Sequence, residues 1–104
     1  MLNAVQDDIV MRWDRMIFIT LSRFKKKPTK ATVAETTKLI ELGLKESGGK
    51  VLGFYYTLGR YDVVLISETK DEKALMKSVI RFADMLLTET LVAVPREEAI
   101  KLIG

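Results

Sequence analysis

A guanidinium, a phenol and a carboxylate stand side by side at Arg60, Tyr61 and Asp62, directly after Gly59 in the run FYYTLGRYDVVLIS. A cation, a hydrogen-bonding ring and an anion at one turn are the groups that orient a small polar ligand, and Tyr56 upstream adds an aromatic wall. The candidate ligand-binding set is therefore Tyr56, Gly59, Arg60, Tyr61 and Asp62. The same residues also have an architectural reading. Gly59 suits a positive-φ position in a hairpin connection, Asp62 can accept from amides of the turn, and Tyr61 sets an amphipathic ring at a sheet rim.

Other chemistry is narrowed by what is missing. With no histidine and no cysteine, the chain has no imidazole base, no thiolate nucleophile, no disulfide and no thiolate zinc site. A general base would fall to Asp62 or Glu68, activated by burial. No second carboxylate stands at a recognisable spacing, so no catalytic residue is assigned. A metal would have to be a hard ion held by oxygens, and no acidic cluster suggests one. Neither metal nor cofactor is expected.

A basic loop at 23–30, RFKKKPTK, gathers Arg23, Lys25, Lys26, Lys27 and Lys30 around Phe24 in a chain of net charge +3. Such clusters bind phosphates, and Phe54, Tyr55 and Tyr56 could imitate a base-stacking platform. Those aromatics sit among aliphatics, however, which suits packing better than a wet surface. Nucleic acid is therefore not the expected partner, and the lysine run reads as a solvated loop.

The elements that position these groups follow from period and punctuation. At 104 residues, the chain has room for one domain with a proper core. Residues 1–15, with Leu2, Val5, Ile9 and Trp13 at near-helical spacing, read as a helical arm. The domain proper is 16–104. MIFITLSRF is a strand, and Pro28 keeps the next segment a loop. A helix is expected from Thr32, as N-cap to Glu35, with Val33, Leu39, Ile40 and Leu44 inward. Ser47 to Gly49 ends it.

KVLGFYYT and YDVVLISE form a hairpin. A second helix starts near Thr69 to Asp71, with Leu75, Val79, Phe82 and Leu86 as its stripe. TETLVAV is the fourth strand, and Pro95 opens a terminal helix. Strand, helix, strand, strand, helix, strand is an α+β, ferredoxin-like βαββαβ order: a four-stranded antiparallel sheet with two helices on one face, plus N- and C-terminal helical segments.

Two helices cover one face, yet the strands are apolar on both. Ile17, Ile19 and Leu21 oppose Met16 and Phe18; Leu52, Phe54 and Tyr56 oppose Val51 and Tyr55; Val64 and Ile66 oppose Val63 and Leu65; Val92 and Val94 oppose Leu91 and Ala93. A sheet with one wet face should alternate instead. The expected cover is the same face of a second copy, a twofold homodimer open to higher assembly; the alternative is that the arm and terminal helix fold across it. No apolar run approaches the ~20 residues of a membrane span and the N-terminus lacks the order of a secretory signal, so a soluble, cytoplasmic protein with no membrane partner is expected.

The run GGKVLGFYYTLGRYDVVLISE, Gly48 to Glu68, followed by TETLVAV and REEAIKLI, closely resembles the GYD-domain family, named for its Gly-x-Tyr-Asp element. The likeness covers about Ala31 to Ile103; the lysine-rich loop after Phe24 departs from the family's usual polar segment. The resemblance implies a dimeric α/β-barrel of ferredoxin-like subunits and supplies no activity, the family being functionally uncharacterised. More distantly, the Gly59–Asp62 hairpin is similar to that of the effector-binding domain of leucine-responsive-type regulators. That likeness implies an amino-acid site near the hairpin, without the DNA-binding half, since only about fifteen residues precede the first strand. Related dimeric barrels also include cofactor-free monooxygenases and isomerases, which makes an enzyme the alternative to a small-ligand-binding or regulatory oligomer.

Overall fold

The structure, a computed structural model, describes residues 15–103. The helical arm expected over 1–15 lies outside them but for Arg15. Strand β1, Met16–Phe24, is followed by helix α1, Lys30–Glu46, and by the hairpin strands β2, Lys50–Tyr56, and β3, Val63–Thr69. Helix α2, Glu72–Arg81, strand β4, Leu86–Ala93, and helix α3, Arg96–Ile103, complete the chain. All neighbouring strands are antiparallel, in the order β2-β3-β1-β4. This is the ferredoxin-like arrangement, with the two crossover helices packed together over one face.

Helix α1 begins earlier than the Thr32–Glu35 pair suggests. Thr29 is the N-cap: its hydroxyl accepts from the Thr32 amide at 3.1 Å, and the Thr32 hydroxyl accepts from the Thr29 amide at 2.7 Å. A threonine at the third helical position serves as well as the expected glutamate, because either side chain offers an acceptor that reaches back. The helix ends as expected. Gly48 takes φ +73°, its amide donates to Lys45 O, and the Gly49 amide donates to Leu44 O at 2.7 Å, which satisfies carbonyls left open by the last turn.

Helix α2 is capped by Asp71, whose carboxylate accepts from the Ala74 amide at 2.9 Å. Thr69 instead closes β3. Leu86, expected on the α2 stripe, belongs to β4 opposite Phe24. The turn after Phe82 brings it back to the core that a longer helix would have reached. β4 therefore starts two residues before TETLVAV.

The core is Phe18, Ile40, Leu44, Leu65, Leu75, Phe82 and Leu86, all between helices and sheet. Phe18 and Leu65 face the helices; Ile17, Ile19, Leu21, Val64 and Ile66 alternate with them and face away. None of those five is fully buried. On β2 the alternation is interrupted. A bulge between Val51 and Gly53 puts Val51 opposite Ser67 and Phe54 opposite Leu65, so Val51 and Phe54 share the helix side, where simple parity separates them. Leu91, 45% exposed, completes the open face on β4. Helix α3 buries none of its residues, so it does not cover that face.

Where α1 meets α2, Gly43 lies against Ser78. A Cβ at Gly43 would stand 2.7 Å from Ser78 Oγ and 3.2 Å from its Cα. The helices approach so closely because both residues are small. Gly43→Ala should therefore destabilise the protein by about 1–3 kcal/mol through overpacking, despite alanine's better helix propensity. Urea denaturation checks this; an unchanged or raised midpoint would show that the helices have room to part.

Candidate functional site

The β2–β3 connection runs from Thr57 to Asp62, longer than a tight hairpin turn. It is closed by two bonds: the Thr57 amide donates to Asp62 O at 2.9 Å, and the Thr57 hydroxyl donates to Tyr61 O at 2.6 Å. Gly59 sits at φ +106° with no atom within 4 Å of where a Cβ would stand. The requirement for glycine there is conformational, since space is plentiful.

Asp62 ties the hairpin to β1. Its amide donates to Ser22 O at 2.9 Å, and its carboxylate accepts from the Phe24 amide at 2.9 Å. The last amide of β1 thus finds a side-chain acceptor where the ladder runs out. The two tyrosines of the candidate set, Tyr56 at the end of β2 and Tyr61 in the connection, point to opposite sides of the sheet. Tyr56 pairs with buried Val63, and its hydroxyl lies 3.2 Å from Thr37 of α1. Its ring stacks on Phe24 and Phe54, with centroids 6.5 and 5.8 Å away. Tyr56 is therefore on the helix side.

Tyr61 crosses the other side. Its hydroxyl donates to Glu89 on β4 at 2.8 Å, and Glu89 pairs with Leu21 of the open face. The Arg60 guanidinium sits 5.8 Å from the Tyr61 ring centroid, within cation–π range. The result is a cation–phenol–carboxylate row at one end of the apolar face. The hydrogen bond to Glu89 raises the phenol above its ordinary value, helped by desolvation and the Glu89 charge; Arg60 and Arg23 oppose the shift.

The five candidates thus divide. Arg60 and Tyr61 form the open-side row, Asp62 is the pin between hairpin and β1, Gly59 supplies the bend, and Tyr56 belongs to an aromatic stack across the sheet. Glu89 is the residue that sequence reasoning missed. The signal was present: an acid in period-two phase with Leu87, Leu91 and Ala93, on the apolar outer face of β4. Glu68, the other candidate base, is paired with Arg15 at 2.8 Å, and the same guanidinium donates to Gly48 O at 2.7 Å. Both flank a cavity of about 220 Å³ at the far end of the open face, beside Ile17, Val94 and Pro95. Among the described residues no three acidic groups gather into a metal site, and no helix is long and apolar enough to cross a membrane.

The comparisons with known proteins agree with this architecture. The model of the GYD domain matches residues 18–103. No curated protein is similar enough in sequence to count as a relative. Among solved structures, the chain is similar in fold to PH0061, at 16% identity over 83% of this chain and 56% of that one, TM-score 0.56. It is also similar to TA0507, which carries a provisional chlorite dismutase name, at 7% identity over 86% of this chain and 47% of that one, TM-score 0.55. The protein YJCS matches at 15% identity over 78% of this chain and 99% of that one, TM-score 0.50. At such identities the likeness is one of fold. The chain spans about half the length of PH0061 and TA0507.

Two measurements probe the site. Asp62→Ala should cost about 1–3 kcal/mol, because it strands the Phe24 amide, whereas Asp62→Asn keeps an acceptor and should cost less; equal losses in denaturant melts would contradict the pinning role. For Tyr61, the raised folded value means that its contribution to stability is complete below 10.0 and is lost as pH climbs through the raised value. Glu89→Gln should lower the titration of one tyrosine in an absorbance titration and blunt that alkaline loss. An unchanged titration would show that Glu89 is not the cause.

Proposed function

The chain belongs to the GYD domain family, and on that footing we propose that it is a homodimeric α/β-barrel that binds a small ligand at the hairpin rim. The observation that carries this reading is the apolar open face bordered by Arg60, Tyr61 and Glu89. The face is built from Ile17, Ile19, Leu21, Val64, Ile66 and Leu91, and neither the crossover helices nor α3 covers it. A second copy related by a twofold axis would bury apolar against apolar, as sandwiched sheets do. Its rim would then enclose the polar row between two chains, and higher assembly remains open to the same surfaces.

A row with Arg60 at one end and Glu89 at the other suits a zwitterion. The guanidinium takes a carboxylate, Glu89 takes an ammonium, and Tyr61 is shared between them. An amino acid fits this pattern, in keeping with the hairpin's likeness to effector-binding domains. Binding is favoured over acid–base catalysis because both carboxylates that could serve as base are engaged: Asp62 with the Phe24 amide, Glu68 with Arg15. We read the protein as cytoplasmic.

Sedimentation at micromolar concentration should find a dimer, and Leu91→Glu should give a folded monomer, because it sets a charge within the face that the dimer would bury, on an edge strand where the single chain leaves it exposed. A well-folded wild-type monomer would overturn the assembly. In thermal shift against a panel of amino acids, one at a hundredfold excess over its Kd should stabilise by about 2.7 kcal/mol. Arg60→Ala should abolish the effect. No shift from any amino acid would remove the proposed ligand class.

A further inference from the structure

A second cavity, of about 200 Å³, lies on the helix side of the sheet. Phe24, Met85 and Thr36 line it with apolar surface; Lys25, Lys26 and Lys27 border it, and Asp84 is the one acid among its lining residues. The cavity borders the start of α1, whose first turn contains Lys30 and no acidic residue. Three lysines against one acid make its rim net positive over an apolar interior.

Its walls are held by bonds made for other purposes. Phe24 is fixed through its amide to Asp62 and through its ring, parallel within 6° to Tyr56. The Lys25 amide donates to Met85 O at 3.0 Å, joining the loop to the entry of β4. Buried Thr36 donates to Thr32 O at 2.7 Å and has its hydroxyl 3.4 Å from Met85 Sδ. A wall fixed in this way loses little freedom when something enters, which lowers the cost of binding.

We propose that this cavity binds a small organic anion, its apolar body against Phe24 and Met85 and its acidic head among Lys25, Lys26 and Lys27. The volume lies below the ~300–1,000 Å³ of ordinary ligand pockets, so a single ring or a short chain is the size class. A nucleic acid fits less well. Strand binding needs cations along a track with bases stacked in sequence; here the lysines come from one short loop, and the aromatic floor lies inside the cavity. The site is on the opposite side of the sheet from Tyr61 and Glu89, so it goes beyond the amino-acid site and stands or falls separately.

The test is an NMR titration of the full chain with benzoate and with hexanoate, using benzyl alcohol as neutral control and a short single-stranded RNA as competitor class. Benzoate or hexanoate should shift the amides of Phe24, Lys25, Thr36 and Met85 while leaving those of Arg60 to Asp62 in place. Benzyl alcohol should bind much more weakly. Replacing Lys25, Lys26 and Lys27 together by glutamine should weaken the anion by about tenfold, as three exposed attractions predict, and Asp84→Asn should tighten it. The amide spectrum of each variant reports its fold directly, so a loss of binding is read only against an unchanged background. The proposal is overturned if neither acid moves these amides at millimolar concentration, if the triple variant binds as the parent does, or if RNA alone produces the shifts.

Discussion

An antiparallel sheet with helices on one side normally resolves its two environments by alternation, apolar inward and polar outward. β1 and β3 do not alternate that way. Phe18 and Leu65 enter the core, while Ile17, Ile19, Leu21, Val64 and Ile66 present a second apolar surface on the reverse. Each fully buried side chain of that kind contributes on the order of 1.5–3 kcal/mol, a gain that the half-buried outer set realises only in part as long as water lies against it. The helices cannot supply a second cover, since α1 and α2 are both committed to the first face, and α3 buries nothing. A chain of this size has little core to spare. Among the described residues nothing covers the second face, and that demand for a further apolar surface is the strongest constraint on what the protein can be.

The Gly-x-Tyr-Asp element sits where the two faces meet, and its residues divide the labour. Gly59 provides a backbone angle that side chains resist. Asp62 turns its carboxylate to the end of β1 and so holds Phe24, which stands on the helix side. Tyr61 reaches over the open side to Glu89. One short loop thereby fastens β2 and β3 to both central and edge strands. The arrangement also explains why a cation, a phenol and a carboxylate adjacent in sequence do not form one cluster. The phenol and the carboxylate part at the last two residues of the loop, Tyr61 turning to Glu89 and Asp62 to the Phe24 amide.

Much of this was legible in the sequence because period and punctuation agree. The order of elements, the glycine stop at Gly48, the opening of α3 after Pro95 and the doubly apolar character of β1 and β3 all come from patterns with a local physical cause. The misreadings have local causes too. Thr29 competes with Thr32 for the cap, and one more turn of helix follows from its hydroxyl. Leu86 keeps helical phase with Phe82 and yet enters a strand, because both are drawn to one core. The bulge at Val51 and Gly53 breaks parity without any proline or charge to announce it. Glu89 could be placed beside Tyr61 only through β1–β4 pairing, a long-range register that composition does not encode.

What the electrostatics allow then decides between kinds of chemistry at the rim. A phenol that serves as base or nucleophile needs its proton held loosely, with a cation close enough to favour the phenolate. Tyr61 is biased the other way. It donates to Glu89, and that bond, with the carboxylate's charge, keeps the proton on; Arg60 and Arg23 only partly offset it. At neutral pH Tyr61 is a fixed hydrogen-bond donor between a cation and an anion. Asp62 and Glu68 are each engaged by donors of their own, the Phe24 amide and the Arg15 guanidinium. Opposite charges tied by a shared hydrogen bond and set against apolar walls are groups that can recognise shape and charge, and it is on that ground that binding, rather than catalysis, is proposed for the rim.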